Sequence, residues 1–564
     1  MTRISSGVVV ITAAITLLTS GCAAVAPGPA EGNGARGAAP AAPKVLTLAI
    51  GKELEAWNTD LVRVTKGGGI SFLTLIAHQR LVADDADFKW WPQLATEHIS
   101  VEKGTWRINA DNTMTTTWRI HENVKWHDGA PFTSDDLMFT FTVMTDREVP
   151  NIVGESRIMQ RALAPDPYTF EIYWSGPYVR ANEAPWLFPM PKHILEDTYQ
   201  HDKASLPGHP WLTTEFVGVG PYRLARWEQG SHMEFARFDD YFRGRPPLDR
   251  VVMRFITDPN TMVAALLAED IDVIPQIPME LDTALEIKRR WEGTGNRTSG
   301  GLTGRFITVE TQHRAEFARP VDGLATKSVR QAFYQAMDRE QLTEAITGGL
   351  APAADSWFFP SHELRPEVEA FIPRFPYDVG MAQRLLEQAG WTRGRDGVLT
   401  NRQTGEPLTL TLGEERAAQR TGSIVADYWR AAGARVDEVR SGGDSRDDLE
   451  AQATLSGAWM GTQAHDNMFT DRFHSSNIAG PGNRWTGRNR SGYNNPKVDA
   501  LLDRLVATIA APDRLTLHRE LLREQLGDLV VMPLHWEYQP YFALKSVGGG
   551  VNGASHNFFE WDKQ

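Results

Sequence analysis

The sequence predicts a mixed α/β (α+β) fold divided into two or three lobes. Three observations carry this. Strand-like and helix-like segments alternate along the chain with no internal repeat. At 564 residues the chain exceeds what one hydrophobic core supports. Its 41% hydrophobic and 23% charged content is that of an ordinary globular protein.

The first segment reads differently. Met1-Thr2-Arg3 gives a short basic start, and Val8 to Leu18 is an apolar run broken only by Thr. Thr19, Ser20 and Gly21 follow, then Cys22, the single cysteine of the chain. Residues 1–21 therefore read as a signal peptide, too short to span a membrane. A Cys directly after small residues resembles the lipobox of bacterial lipoproteins. Thr19 stands where that pattern favours an aliphatic residue, with Leu18 one step further out. The resemblance implies acylation of Cys22. Residues 22–44 are Ala-, Gly- and Pro-rich and cannot bury enough surface to fold, so they read as a flexible tether. An exported chain with one Cys has no intramolecular disulfide, and packing must hold it together.

The folded part opens at Val45–Ile50, an apolar run that reads as a buried strand. Ile99 to Ile120 alternates around the turn-like Asn109–Thr113 and reads as a hairpin. Thr133-Ser-Asp-Asp136 has the form of a capping box before the apolar Leu137–Val143, so a helix starts there. Tyr168–Trp174 and Met233–Arg237 read as strands, and Asp258 opens a helix running through Val263, Leu266 and Leu267. Further on, Ser328–Thr347 carries Val329, Ala332, Phe333, Ala336 and Met337 on one helical face. Asp378 caps a helix that Gly390 stops, and Gly433 stops another from Ile424. Lys497–Ile509 and Pro512–Leu526 form a helical pair, and Val530–Trp536 is again strand-like.

Charge and motifs exclude several functions. A net charge of −13 and a pI near 5.7 argue against a general nucleic-acid binder. The chain holds no Gly-x-Ser-x-Gly elbow, no His-Glu-x-x-His, no phosphate loop ending in Gly-Lys-Ser/Thr and no calcium loop. Adjacent carboxylates such as Asp84-Asp85 and Asp239-Asp240 diverge on a strand and do not face each other. No catalytic set and no cofactor are expected. His127-Asp128 reads as part of a turn feeding the capped helix. His465, Asp466, Asp471 and His474 have no metal-site spacing and read as a solvated loop. Gly218–Arg223, "GVGPYR", reads as a turn before a strand. Eighteen Trp are many for one chain; indoles either fill cores or line a cleft.

The order of motifs adds to this. Trp91-Pro-Gln-Leu-Ala95 is followed by "KWHDGAPFTSDDLMF" (125–139), "FPMPKHILED" (188–197) and "VGVGPYR" (217–223). Then come "FDDYFRGRPPLDRV" (238–251), "VRQAFYQAMDREQL" (329–342), "FPYDVGMAQRLLEQAGW" (375–391), "SGYNNPKVDALLD" (491–503) and "VVMPLHW" (530–536). This series resembles family 5 of the bacterial extracellular solute-binding proteins, the peptide- and nickel-type receptors of ABC importers. The resemblance implies a periplasmic-binding-protein-like fold: two lobes, crossing hinge strands and a subdomain inserted in the first lobe. It places lobe I at 45–300 with the insert at about 72–205, lobe II at 301–528 and return strands at 529–564.

For the site, the resemblance implies a Trp with an Asp three residues on that meets a peptide's amino group. Trp459 matches the Trp, but Thr462 stands at the Asp position. A hydroxyl replaces a full charge poorly opposite a buried cation, and Asp466 is the nearest substitute along the chain. The expected ligand contacts are Trp459, Met460, Gly461, Thr462 and Asp466, with Trp57 facing the cleft from the other lobe. The implied function is capture of an oligopeptide-like solute by lobe closure, without catalysis, and its delivery to an ABC permease and ATPase. The implied receptor is a lipid-anchored, extracytoplasmic monomer. Oligosaccharide or metal-chelate ligands, a sensing role and a secreted hydrolase stay open as alternatives.

Overall fold

The computed structural model describes residues 42–58, 61, 75–85, 89–149, 154–183, 187–275, 279, 281–440, 449–465, 471–549 and 557–564. Residues 1–41, Cys22 among them, and Asp466 lie outside these residues. Among the described residues no helix is long and apolar enough to cross a membrane.

A ten-stranded mixed sheet organises the chain. Its spatial order is Arg435–Arg440, Thr409–Glu414, Ala458–Ala464, Arg297–Thr311, Val531–Ala543, Val273–Ile274, Val45–Ile50, Arg250–Phe255, His232–Arg237 and Tyr222–Glu228. Val45–Ile50 pairs in parallel with Arg250–Phe255 and Val273–Ile274. Leu46, Leu48, Ala49 and Ile50 are all buried, the pattern of a strand covered on both faces. Two long strands carry the sheet from its first-half members to its second-half members. Arg297–Thr311 and Val531–Ala543 run antiparallel, and their register shifts between Leu302 and Phe306 and again between Ile307 and Thr308.

A second, four-stranded antiparallel sheet stands apart, in the order Trp106–Ile108, Met114–Arg119, Thr169–Trp174 and Met159–Asp166. The helix Ser134–Thr145 packs against it. Its capping box is formed: the Thr133 hydroxyl accepts from the backbone of Asp135, and Asp136 accepts from the Thr133 N–H at 3.0 Å.

Separate apolar clusters fill the two halves. One gathers Trp118, Trp126, Trp174 and Trp211 with residues of the first 273 positions and a few from 509 onward. Others form around Phe333, Trp391 and Trp429, and around Trp357, Phe358 and Trp536. Ten of the eighteen Trp are fully buried, so most of the indoles are core.

The expected elements appear with shifted ends, and one divides. Ser328–Thr347 is two helices, Lys327–Gln335 and Arg339–Thr347. Asp338 breaks the run by capping the second one, its carboxylate accepting from the Gln341 N–H at 2.9 Å. Val530–Trp536 is the start of the strand Val531–Ala543. The His127 turn is a packing device: its ring bonds both Gly218 N–H and Gly220 C=O. A Cβ at Gly218 or Gly220 would meet the backbone of Ala77 at 2.0 or 2.4 Å, so that approach admits only glycine. Burial pulls His127 down to about 4, leaving it neutral in this turn.

Candidate functional site

The strand Ala458–Ala464 sits between Arg297–Thr311, antiparallel, and Thr409–Glu414, parallel. Trp459 lies opposite Glu310 on one side and Gly413 on the other. A Cβ at Gly413 would come within 2.4 Å of the Trp459 ring, so this glycine makes room for the indole. Met460, one residue on, points into the second-half core and is fully buried. Beyond the strand's neighbour, the chain turns at Glu415, just past the carboxyl end of Thr409–Glu414. Ligands of open α/β sheets bind at such strand ends.

A cavity of about 320 Å³ opens here. It is small for a ligand site, near the lower end of the usual range. Trp459, Thr462 and Gln463 line it, with Glu310, Glu415, Gln452, Arg472 and Arg490 among the charged and polar members. Inside it Glu310 is held through its Oε1. Its carboxylate accepts from Gln463 Nε2 at 2.8 Å and pairs with Arg472 at 2.7 Å, both side chains nearly enclosed. Arg490 donates to Gln452 Oε1. Burial first, and the Arg472 charge second, pull Arg490 below its ordinary value, with Glu310 and Glu415 acting in the opposite direction. Glu415 accepts from the Thr462 N–H at 3.2 Å. A Cβ at Gly461 would lie 2.7 Å from the Glu415 carboxyl carbon, so Gly461 leaves space for that group.

The expected site residues thus fall in three groups. Trp459 and Thr462 line the cavity, and Gly461 shapes it. Met460 is core. Trp57 is core too: it is 1% exposed, stacks on Phe216 at 4.1 Å and donates its indole N–H to Thr213 C=O. Asp466 is outside the described residues. Sequence reading sought a carboxylate four residues along from Thr462. The sheet supplies one from Glu415, 47 residues earlier in the chain. Arg472 and Arg490 were likewise missed. The readable signal for Glu415 was its place directly after an alternating strand, "LTLTLGEE". His465 and His474 do not join a metal-binding group of three or more His, Cys, Asp or Glu among the described residues.

The same architecture recurs in known proteins. A family model described as bacterial extracellular solute-binding proteins, family 5 Middle, matches residues 90–480. The oligopeptide-binding protein AppA of Bacillus subtilis is 27% identical over 305 residues. That match covers 52% of this chain and 52% of AppA, so it spans about half the length of this relative. The oligopeptide-binding protein of Thermus thermophilus, solved with a pentapeptide, superposes with a TM-score of 0.71 at 21% identity, covering 92% of this chain and 96% of that one. NikA of Brucella suis, solved with Fe(III)-EDTA, gives a TM-score of 0.74 at 19% identity, covering 92% and 100%. At these identities the two structures establish a shared fold.

Proposed function

The chain belongs to the bacterial extracellular solute-binding proteins of family 5, and from that premise we propose that it is the substrate receptor of an ABC importer for an oligopeptide-like solute. The observation that carries this reading is the cavity along Trp459–Gln463. It offers one aromatic face and a ring of hydrogen-bonding side chains, which suits a solute rich in amide groups. The relative AppA, an oligopeptide-binding protein, and the Thermus receptor solved with a pentapeptide support the choice of ligand. We read the first-half and second-half clusters as lobes, about 45–300 and 301–528, that close on the solute across the two long strands. The receptor binds without catalysis, acts as a monomer and hands its cargo to a permease and ATPase. Native mass spectrometry of protein purified from its own host tests the reading. An oligopeptide retained in stoichiometric amount is the expected result. A retained glycan or metal chelate would replace the peptide by that ligand.

Tethering belongs to the same proposal. Cys22, followed by the 22–44 tether, is the acylation site that holds the receptor at the membrane near its permease, where its effective concentration is high. In cell fractionation, Cys22→Ala moves the protein from the membrane to the soluble extracytoplasmic fraction. A variant that stays with the membrane removes the anchor.

A further inference from the structure

Three side chains lining the cavity carry a buried polar atom without a hydrogen-bond partner among the described residues: Trp459 Nε1, Arg472 Nε and Arg490 Nε. All three are N–H donors. An unmet buried donor is costly, so three in one small cavity form a conspicuous deficit. The charges repeat the pattern. Arg472 is matched by Glu310. The side chain of Arg490 meets the neutral Gln452, and Glu415, on the same cavity, makes no ion pair with it among the described residues. Glu310 and Glu415 act on Arg490 only from beyond ion-pair distance, whereas a guanidinium fork can hold an oxyanion directly with two parallel bonds.

We propose that Arg490, Arg472 and Trp459 form a receiving site for an anionic, oxygen-bearing group of the ligand, a carboxylate or a phosphoryl group. This rests on the receptor reading above and narrows its substrate class to solutes that bring an oxyanion into the cavity. The ligand's acceptors satisfy the Nε donors of both arginines and the indole N–H together. Arg490 supplies the charge and Arg472, already held by Glu310, supplies a rigid second donor. Glu415 stands at Gly461–Thr462 as an opposite pole, so an anion is directed to the arginine side of the cavity by repulsion as well as attraction.

Titration of the full chain by calorimetry tests the site with matched probes. Trialanine and tetra-alanine are compared as free acids and as C-terminal amides, and glucose 6-phosphate is compared with glucose. In at least one pair the anionic member binds tenfold or more tightly, and the pair that does so identifies a carboxylate or a phosphoryl source. Arg490→Gln reduces that ratio below about threefold, Arg490→Lys keeps part of it, and Trp459→Phe, which keeps a ring and loses the donor, lowers it partway. Unchanged thermal unfolding midpoints show that these variants remain folded. Equal binding of charged and neutral members, or a ratio indifferent to Arg490→Gln, overturns the anion site and leaves the receptor reading standing. Failure of every probe to bind the wild-type chain also overturns the anion site, and the receptor reading is then decided by the ligand found in native mass spectrometry.

Discussion

Glu414 and Glu415 are neighbours with opposite circumstances. Glu415 reaches the cavity, while Glu414 is completely buried against Gly422, where a Cβ would lie 2.2 Å from its carboxylate. Neither of its oxygens has a hydrogen-bond partner among the described residues, and the guanidinium of Arg440 stands 3.6 Å away from one of them. Burial, with the nearby Glu438 charge, pushes this carboxyl up to about 7 against the pull of Arg440. The folded state therefore keeps a proton that the unfolded state releases. Its stabilising contribution is complete below about pH 4.5 and is lost as pH rises through about 7. Glu414→Gln cannot ionise, so it should be more stable than wild type at pH 8 by on the order of 3 kcal/mol, with the gap closing at pH 4. Thermal unfolding of both proteins at the two pH values measures this, and a constant gap across them would mean that Glu414 does not titrate in this range. No sequence rule distinguishes the two glutamates, because which of them is enclosed depends on the helix Gln419–Ala432 laid over one and not the other. For the same reason Trp57 and Trp459 look alike in the sequence: what separates them is Phe216 stacked on the first and Gly413 yielding space to the second.

At the scale of elements, local chemistry was legible wherever it was self-contained. The capping box at Thr133, the Asp258 and Asp378 caps, and the left-handed Gly433 that ends its helix all use groups within four residues of the helix end they serve. Periodicity failed at Ser328–Thr347, because its apolar spacing continues across a break made by one polar residue, Asp338. It also fell short at Val530–Trp536. The strand continues through Glu537, Tyr538 and Gln539, of which Tyr538 and Gln539 pair with Leu302 and Gly301, and a pairing partner over two hundred residues away leaves no local mark. The cavity had the same limitation. Its wall was legible through the resemblance at Trp459, but Glu415, Arg472 and Arg490 arrive from three different segments, and only the sheet register and the packed loops bring them to one place.

The whole molecule depends on how its halves are joined. Among the described strands of the large sheet, Arg297–Thr311 and Val531–Ala543 alone connect first-half to second-half members. Their ladder is interrupted between Leu302 and Phe306, where Gly304 adopts φ +68°, and Thr303 instead donates to Glu537 at 3.0 Å. Bending there breaks the fewest backbone hydrogen bonds and needs a residue tolerant of that φ. The proposed lobe boundary near residue 301 falls at this gap. The cavity's arginines and Trp459 all lie on the second-half side, so a solute held by them alone would leave half its surface in water. In the proposed closure first-half surface meets it, and the solute can favour the closed form only by the extra affinity it gains there. A compact chain of this length has a radius of gyration of about 24 Å. Small-angle scattering with and without the anionic probe that binds best should show this radius fall on saturation. In Arg490→Gln the fall should require proportionally more probe and reach the same end point, since that residue sets affinity and the connector sets geometry. Saturating binding with an unaltered scattering profile would remove lobe closure from the mechanism while keeping the cavity as the binding site.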